Sequence, residues 1–127
     1  MIGAVDIGGT KIGVGMVDSD GRVLSRVQTP TAPDKGYANA LDRIADMLRD
    51  ASTRSGTRIT GIGICSTGPV YPFRGKFGTV NFSPKWRGES PVKDLENIFR
   101  VSVAMENDAD AAALGEASWG LPETGRA

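Results

Sequence analysis

The sequence has 127 residues, enough for one domain with a single hydrophobic core. Fifteen basic residues balance fifteen acidic ones without clustering, which disfavours nucleic-acid binding and attraction to anionic membranes. The absence of histidine and the single cysteine, Cys65, exclude intrachain disulfides, His-based zinc sites and His-dependent catalysis within these residues. With neither a signal peptide nor an apolar run of membrane-spanning length, this composition predicts a cytoplasmic protein whose acid–base chemistry depends on carboxylates.

The opening of the chain predicts three antiparallel strands joined by tight turns. Residues 2–6 are a short apolar run, and residues 11–18 alternate between apolar and polar side chains. A Ser-Asp-Gly turn then leads into a third strand over residues 23–27. After a loop over residues 30–36, residues 37–54 have apolar side chains at helical spacing, which predicts an amphipathic helix.

The second half of the chain alternates strands with helices. The apolar run at residues 59–65 predicts a parallel strand after the crossover helix. Residues 70–86 are rich in glycine, proline and aromatic residues, which favours a loop or an irregular hairpin. Residues 91–99 begin with proline and predict a second helix, residues 101–105 a buried strand, and residues 108–118 an alanine-rich helix.

This order of elements, βββαβαβα with a mixed sheet, predicts an α/β fold. Three meander strands followed by crossover connections are the layout of a ribonuclease H-like lobe, as in actin/hexokinase-type ATPases. We expect one such lobe over residues 1–120. Residues 121–127 read as a linker toward a further, C-terminal domain.

The first segment with chemical potential is Asp6-Ile7-Gly8-Gly9-Thr10-Lys11. Amides in a glycine-rich turn can face a phosphate, and glycine lets the anion approach without a Cβ in the way. Asp6 would then hold a magnesium ion through water, because Mg²⁺ keeps much of its hydration. An ordinary Gly-Gly hairpin with a strand-end aspartate is the alternative. The spacing matches neither a Walker A loop nor a dinucleotide-binding fingerprint.

The second segment spans residues 106–116 and begins Glu-Asn-Asp-Ala-Asp. Asn107 and Asp108 fall between a predicted strand and a predicted helix, at the sheet edge where ligands of α/β proteins bind. A carboxylate near a helix N-terminus stays ionised and can accept a hydroxyl proton. A plain helix cap is the alternative, since Asn and Asp are preferred at such boundaries.

The third segment follows the strand that contains Cys65. A Gly-Pro turn at Gly68 would bring backbone close to a ligand, and Asn81 further on could bond sugar hydroxyls. Trp86 is more consistent with a loop anchor than with a sugar platform, because aromatic residues mostly serve in packing. Cys65 lies in an apolar run, which favours an inert buried thiol.

Taken together, these segments resemble the ROK family (repressors, open reading frames and sugar kinases). The resemblance rests on Asp-Ile-Gly-Gly-Thr-Lys at residues 6–11 and on the Gly-Ile-Gly to Gly-Pro-Val stretch at 61–70. It continues with Asn-Phe-Ser-Pro-Lys-Trp at residues 81–86 and with the Glu-Asn-Asp segment at 106–116. The match spans nearly the whole chain.

The resemblance implies an ATP-dependent kinase that transfers the γ-phosphoryl group to a hexose or an N-acetylhexosamine. Asp108 matches the general base that accepts the proton of the attacked hydroxyl. Sugar-binding positions of the family match Gly68, Asn81, Asn107 and Asp108. Phosphate-loop positions match Gly8, Gly9, Thr10 and Lys11, with Asp6 near the magnesium ion.

The sequence also departs from the family pattern. One extra residue separates Asn81 from Trp86, and Asp110 stands where the family has asparagine. The family's second half, which carries a zinc site, further sugar contacts, the adenosine pocket and much of the dimer interface, has no counterpart in these residues. The resemblance therefore implies that the full-length protein is a homodimer and that this chain alone does not turn over.

Two alternatives stay open. A sugar-sensing repressor of the same family would use this lobe to bind an effector without catalysis. Such repressors carry a DNA-binding segment before the first motif, whereas five residues precede Asp6 here. A weaker alternative is another actin-fold ATPase, whose ATP turnover would not depend on a sugar.

Overall fold

The computed structural model describes residues 1–66, 70–71, 76–77 and 86–107. The strands in these residues are β1 (Ile2–Ile7), β2 (Lys11–Val17), β3 (Val23–Pro30), β4 (Gly61–Ser66), β5 (Val70–Tyr71), β6 (Lys76–Phe77) and β7 (Ser102–Asn107). The helices are α1 (Tyr37–Ser55) and α2 (Pro91–Phe99), with a short 3-10 helix at Pro33–Lys35.

Five strands form one mixed sheet in the order β3-β2-β1-β4-β7. Strands β1, β2 and β3 pair antiparallel as consecutive hairpins, whereas β1 pairs with β4, and β4 with β7, in parallel. Helix α1 connects β3 to β4, and α2 precedes β7. This arrangement confirms the predicted α/β class and the three-strand opening followed by parallel strands.

One face of the sheet forms the hydrophobic core with the two helices. Alternate residues of β1, β2 and β4 point to this face because successive side chains in a strand lie on opposite sides. Helix α1 contributes Leu48, which is fully buried, and α2 contributes Leu95. The buried sheet residues of this cluster are Val5, Ile7, Ile12, Val14, Met16, Ile62, Ile64 and Met105.

Local chemistry favours the point at which α1 ends and the point at which α2 begins. Helix α1 stops at Gly56, whose left-handed conformation lets its amide bond the carbonyls of Ser52 and Thr53. Helix α2 starts after Ser90, whose hydroxyl accepts a hydrogen bond from the amide of Lys93. Proline at its first position matches the predicted start.

Five strands differ from their predicted bounds. Strand β1 ends one residue later than predicted, at Ile7, and β2 ends one residue earlier, at Val17. Strand β3 continues to Pro30, beyond residue 27, because Pro30 pairs with Lys11 across the hairpin. Strands β4 and β7 each start and end later than predicted, since pairing between them aligns Gly61 with Ser102 and Ser66 with Asn107. Asn107 is therefore the last residue of a strand, rather than a residue between strand and helix.

Some predictions concern residues only partly described. Within 70–86, Val70–Tyr71 pairs antiparallel with Lys76–Phe77, which confirms the hairpin interpretation for those residues. The helix predicted over 108–118 and the linker over 121–127 lie outside the described residues. In the described part of the chain, no helix is both long enough and apolar enough to cross a membrane.

Candidate functional site

The carboxyl ends of three parallel strands meet at one edge of the sheet. Ile7 of β1 pairs with Ser66 of β4, and Ser66 pairs with Asn107 of β7. The turn over residues 8–10 follows β1 directly, so it emerges at the same edge. Ligands of open α/β sheets bind outside the carboxyl ends of strands, which makes this edge the candidate site.

The turn after β1 presents exposed backbone amides. The amide of Gly8 donates to the carbonyl of Lys11 at 2.9 Å and closes the hairpin. Gly9 and Thr10 are exposed, and no acceptor for their amides is found among the residues that the structure describes. Of the predicted phosphate-loop residues, Gly8 therefore uses its amide to hold the turn, while Gly9 and Thr10 can offer theirs to an anion.

A side chain at Gly8 would be crowded, although the backbone angles of Gly8 are open to other residues. A Cβ at Gly8 would lie 3.1 Å from the carbonyl oxygen of Lys11, which is backbone and cannot move aside easily. The described glycines with positive φ are elsewhere, at Gly21, Gly36, Gly56 and Gly88. The turn is thus tight because the backbones of Gly8 and Lys11, at the ends of the paired strands β1 and β2, lie close together.

The turn is also held from the buried side by Thr31, which follows β3. The amide of Thr31 donates to the carbonyl of Thr10 at 2.9 Å. Its hydroxyl donates to the carbonyl of Gly8 at 2.7 Å. Thr31 itself is completely buried. The turn is therefore bonded to two strands of the sheet, β2 and β3, as well as to β1 from which it emerges.

Asp6 lies on the sheet face opposite α1 and is exposed to solvent. Asp6 pairs with Cys65 of the neighbouring strand β4, and the Cys65 thiol lies 3.9 Å from the Asp6 carboxylate. Cys65 is only 6% exposed, which agrees with the predicted buried thiol. Clusters of three or more metal-ligating side chains do not occur among the described residues. A single exposed carboxylate beside open amides fits a hydrated Mg²⁺ shared with a phosphate, because Mg²⁺ retains several waters.

Trp86 anchors the end of the segment that contains Asn81. Its side chain is 1% exposed and meets Tyr37 of α1 edge-on, with ring centroids 5.8 Å apart. The Tyr37 hydroxyl donates to the carboxylate of Asp94 in α2 at 2.6 Å. Burial, together with the Asp94 carboxylate and the charge of Glu89, raises the pKa of Tyr37 well above its usual range. These contacts agree with the anchoring role predicted for Trp86.

The structure brings together part of the predicted site. Asp6 and the turn over residues 8–11 share the sheet edge with the backbone of Asn107. Gly68, Asn81 and Asp108 lie outside the described residues. The sequence reasoning missed Thr31, because its bonds to the turn join residues 23 positions apart and leave no local pattern.

Comparison with known proteins adds independent information. A sequence profile of the ROK family matches residues 2–126. The glucokinase of Streptomyces coelicolor is 42% identical over 120 residues, covering 91% of this chain and 35% of that protein. The chain thus spans about a third of the length of the curated relatives it matches.

Solved structures give the same picture. The crystal structure of a ROK hexokinase from Thermus thermophilus matches with a TM-score of 0.80 and 34% identity, covering 89% of this chain and 37% of that one. A ROK family glucokinase from Streptomyces griseus, solved in complex with glucose and AMPPNP, matches with a TM-score of 0.76 and 37% identity, covering 93% and 36%. These neighbours have the actin/hexokinase-type fold, in agreement with the mixed five-stranded sheet.

Proposed function

The chain belongs to the ROK family, and on that basis we propose that it is the N-terminal lobe of an ATP-dependent sugar kinase. The expected reaction transfers the γ-phosphoryl group of ATP to a hydroxyl of a hexose or an N-acetylhexosamine. Relatives named glucokinase and the neighbour holding glucose and AMPPNP support this class of reaction.

The observation that carries the proposal is the shared edge of β1, β4 and β7. The exposed amides of the turn follow β1, and Asp108 follows Asn107 at the end of β7 in the sequence. Two strand spacings separate β1 from β7, which puts the backbones of Ile7 and Asn107 about 10 Å apart. The reaction needs a base, a sugar hydroxyl and a phosphoryl group in line, with reacting atoms about 3 to 3.5 Å apart. The distance from the base to the groups that hold the phosphate is then comparable to the separation of these two strands.

Each residue then has a defined role. Asp108 accepts the proton of the sugar hydroxyl as that oxygen attacks phosphorus. The amides of Gly9 and Thr10 hydrogen bond phosphate oxygens and stabilise the charge that develops on them. Lys11 is exposed beside the turn and supplies a positive charge to the phosphates. We expect Gly68, Asn81 and Asn107 to bind and orient the sugar.

Asp6 is the residue that would hold magnesium, through water, next to the turn. When bound, the ion neutralises charge on the phosphates of ATP. The exposed position of Asp6 leaves room for a hydrated ion. We assign the adenosine pocket, a zinc site and the homodimer contacts to residues beyond this lobe, since the relatives are about three times as long.

The test is turnover by the full-length protein with a panel of hexoses and N-acetylhexosamines. We expect Asp108→Asn to lower kcat by at least about a hundredfold, because general-base catalysis typically contributes that much. Sugar affinity, measured separately by calorimetry, should change little. Asp110→Asn is the matched control: it removes a neighbouring carboxylate and introduces the residue usual in the family, so activity should persist.

One outcome would contradict the role of Asp108, and two others would contradict the kinase assignment. Full activity in Asp108→Asn would remove Asp108 from the role of base. Sugar binding by the wild-type protein without any phosphorylation would instead indicate a sugar-sensing regulator of the same family. ATP turnover that no sugar stimulates would indicate an ATPase of the same fold.

A further inference from the structure

We propose that Thr31 is the positioning residue of the phosphate turn and that Arg43 holds Thr31 in place. The proposal rests on the proposed function, because it assigns a purpose to the amides that Thr31 orients. Thr31 lies on the buried side of the turn and is completely shielded from solvent. Its influence on a bound phosphate is therefore exerted through the backbone of the turn.

The first step of the argument is the direction of the amides. A trans peptide is planar, so its C=O and N–H point in opposite directions. The carbonyl of Gly8 accepts the Thr31 hydroxyl, and the amide of the same peptide belongs to Gly9. Holding that carbonyl toward Thr31 therefore turns the Gly9 amide away from the core, toward the exposed side of the turn.

A second bond acts in the same way two residues further on. The carbonyl of Thr10 accepts the backbone amide of Thr31, and the amide of that peptide belongs to Lys11. One buried residue thus orients the peptide that carries the Gly9 amide and the peptide that carries the Lys11 amide. The peptide that carries the Thr10 amide lies between these two. Donors fixed in advance toward a phosphate cost no reorganisation when it binds, which is how such sites gain strength.

The second step concerns what fixes Thr31. Arg43 of α1 donates from Nη2 to the carbonyl of Thr31 at 2.6 Å and from Nη1 to the carbonyl of Pro30 at 2.5 Å. Its Nε donates to the amide oxygen of Asn39, one helical turn earlier, at 2.8 Å. A guanidinium presents its donors as a rigid planar fork, so these three bonds determine the position of the chain at Thr31 relative to α1.

This network links the helix to the turn through hydrogen bonds alone. Asn39 orients Arg43, Arg43 holds the carbonyl of Thr31, and Thr31 orients the carbonyls of Gly8 and Thr10. Bonds with a charged donor are stronger than bonds between neutral groups. The position of the turn is consequently fixed relative to helix α1 as well as by the hairpin between β1 and β2.

The experiment is calorimetric binding of AMPPNP with Mg²⁺ to the full-length protein and its variants. Thr31→Val keeps the shape and the backbone amide but removes the bond to Gly8. We expect its affinity for AMPPNP to fall at least about tenfold, since misplacement of donors by an ångström is costly. Thr31→Ser restores a hydroxyl and should bind within about threefold of wild type, well inside the 1.4 kcal/mol that one factor of ten represents.

Ser25→Ala is the matched control. The hydroxyl of Ser25 in β3 donates to the carbonyl of Ala51 in α1, far along the strand from the turn. Ser25→Ala also removes one hydroxyl–carbonyl bond, but this bond joins β3 to α1 instead of to the turn, so AMPPNP affinity should be unchanged. Should Thr31→Val prove too unstable to purify, Arg43→Lys, which keeps the charge but loses the fork, is expected to weaken AMPPNP binding through the same network.

The outcomes separate this inference from the proposed function. Equal AMPPNP affinity in wild type and Thr31→Val, or an equal loss in Ser25→Ala, would overturn the positioning role. Failure of the wild-type protein to bind AMPPNP would overturn it too. Nucleotide binding that weakens in Thr31→Val and recovers in Thr31→Ser supports it, even if no sugar is phosphorylated and the kinase assignment fails.

Discussion

At the scale of single residues, two glycines of β2 differ sharply in their surroundings. Gly13 and Gly15 both point away from α1, on the same strand and face. A Cβ at Gly15 would lie 2.9 Å from the carbonyl oxygen of Ser25 and 3.1 Å from a methyl group of Val23. A Cβ at Gly13 would meet only the Gln28 side chain, at 3.9 Å. The need for glycine at position 15 is therefore steric.

We predict that Gly15→Ala lowers the free energy of unfolding by about 1 to 3 kcal/mol, the usual cost of overpacking. Gly13→Ala should change it by less than about 0.5 kcal/mol, as expected where nothing is displaced. Urea unfolding of both variants, with unchanged dependence on urea concentration, measures the difference. Equal stability of the two variants would show that β3 can shift to accept the added methyl group.

At the scale of elements, the two helices are joined by a polar link as well as by apolar packing. Tyr37 begins α1, and its hydroxyl reaches Asp94 in α2 while its ring packs against Trp86. Burial favours the neutral phenol, and the nearby carboxylate opposes a second negative charge. The link therefore depends on Tyr37 remaining protonated.

This dependence predicts a loss of stability at alkaline pH. An unfolded chain ionises tyrosine near pH 10, whereas folded Tyr37 with its raised pKa stays protonated. The stability contributed by protonated Tyr37 is complete below about pH 10 and declines above it, by up to about 1.4 kcal/mol per pH unit.

Denaturant unfolding of wild type and Tyr37→Phe between pH 8 and pH 11 checks this prediction. Tyr37→Phe loses the bond to Asp94 at every pH but has no phenol to titrate. The stability difference between the two proteins should therefore shrink above about pH 10. A constant difference would contradict the coupling, and Tyr71→Phe, which removes the chain's other tyrosine, controls for unrelated titration.

At the scale of the whole molecule, the chain corresponds to about a third of its curated relatives. Phosphoryl transfer requires ATP and the sugar hydroxyl to be held in line at once. By our proposal, this lobe offers a phosphate turn, a base and sugar contacts. We expect the groups that bind adenosine to come from the remaining two-thirds of the protein.

We therefore predict that the chain alone does not convert ATP to ADP with any sugar of the panel. Joined to the remaining two-thirds of Streptomyces coelicolor glucokinase in place of the matching segment, it should support turnover. A coupled assay for ADP measures both. Turnover by the chain alone would contradict the prediction, and Asp108→Asn in the joined protein should return activity to background.

Much of the fold could be predicted because its signals are local. Alternating apolar residues, a Gly-Gly turn and a helix-length amphipathic segment are all visible within short windows of sequence. The family motifs are equally local, so the amino-acid sequence alone was enough to propose a magnesium role for Asp6 and a phosphate role for residues 8–11. The register of β4 and β7 could not be predicted, since their bounds follow from pairing between strands about 40 residues apart.

The sequence by itself thus determined the class of fold, the family and the candidate phosphate turn. Only the tertiary structure decided that the ends of β1, β4 and β7 coincide, with Ile7, Ser66 and Asn107 in one row. It also decided that the Gly8 amide bonds the carbonyl of Lys11 within the hairpin and that Thr31 and Arg43 hold the turn. The physical reason is that hydrogen bonds between distant segments depend on strand register and helix placement, which no short stretch of sequence encodes.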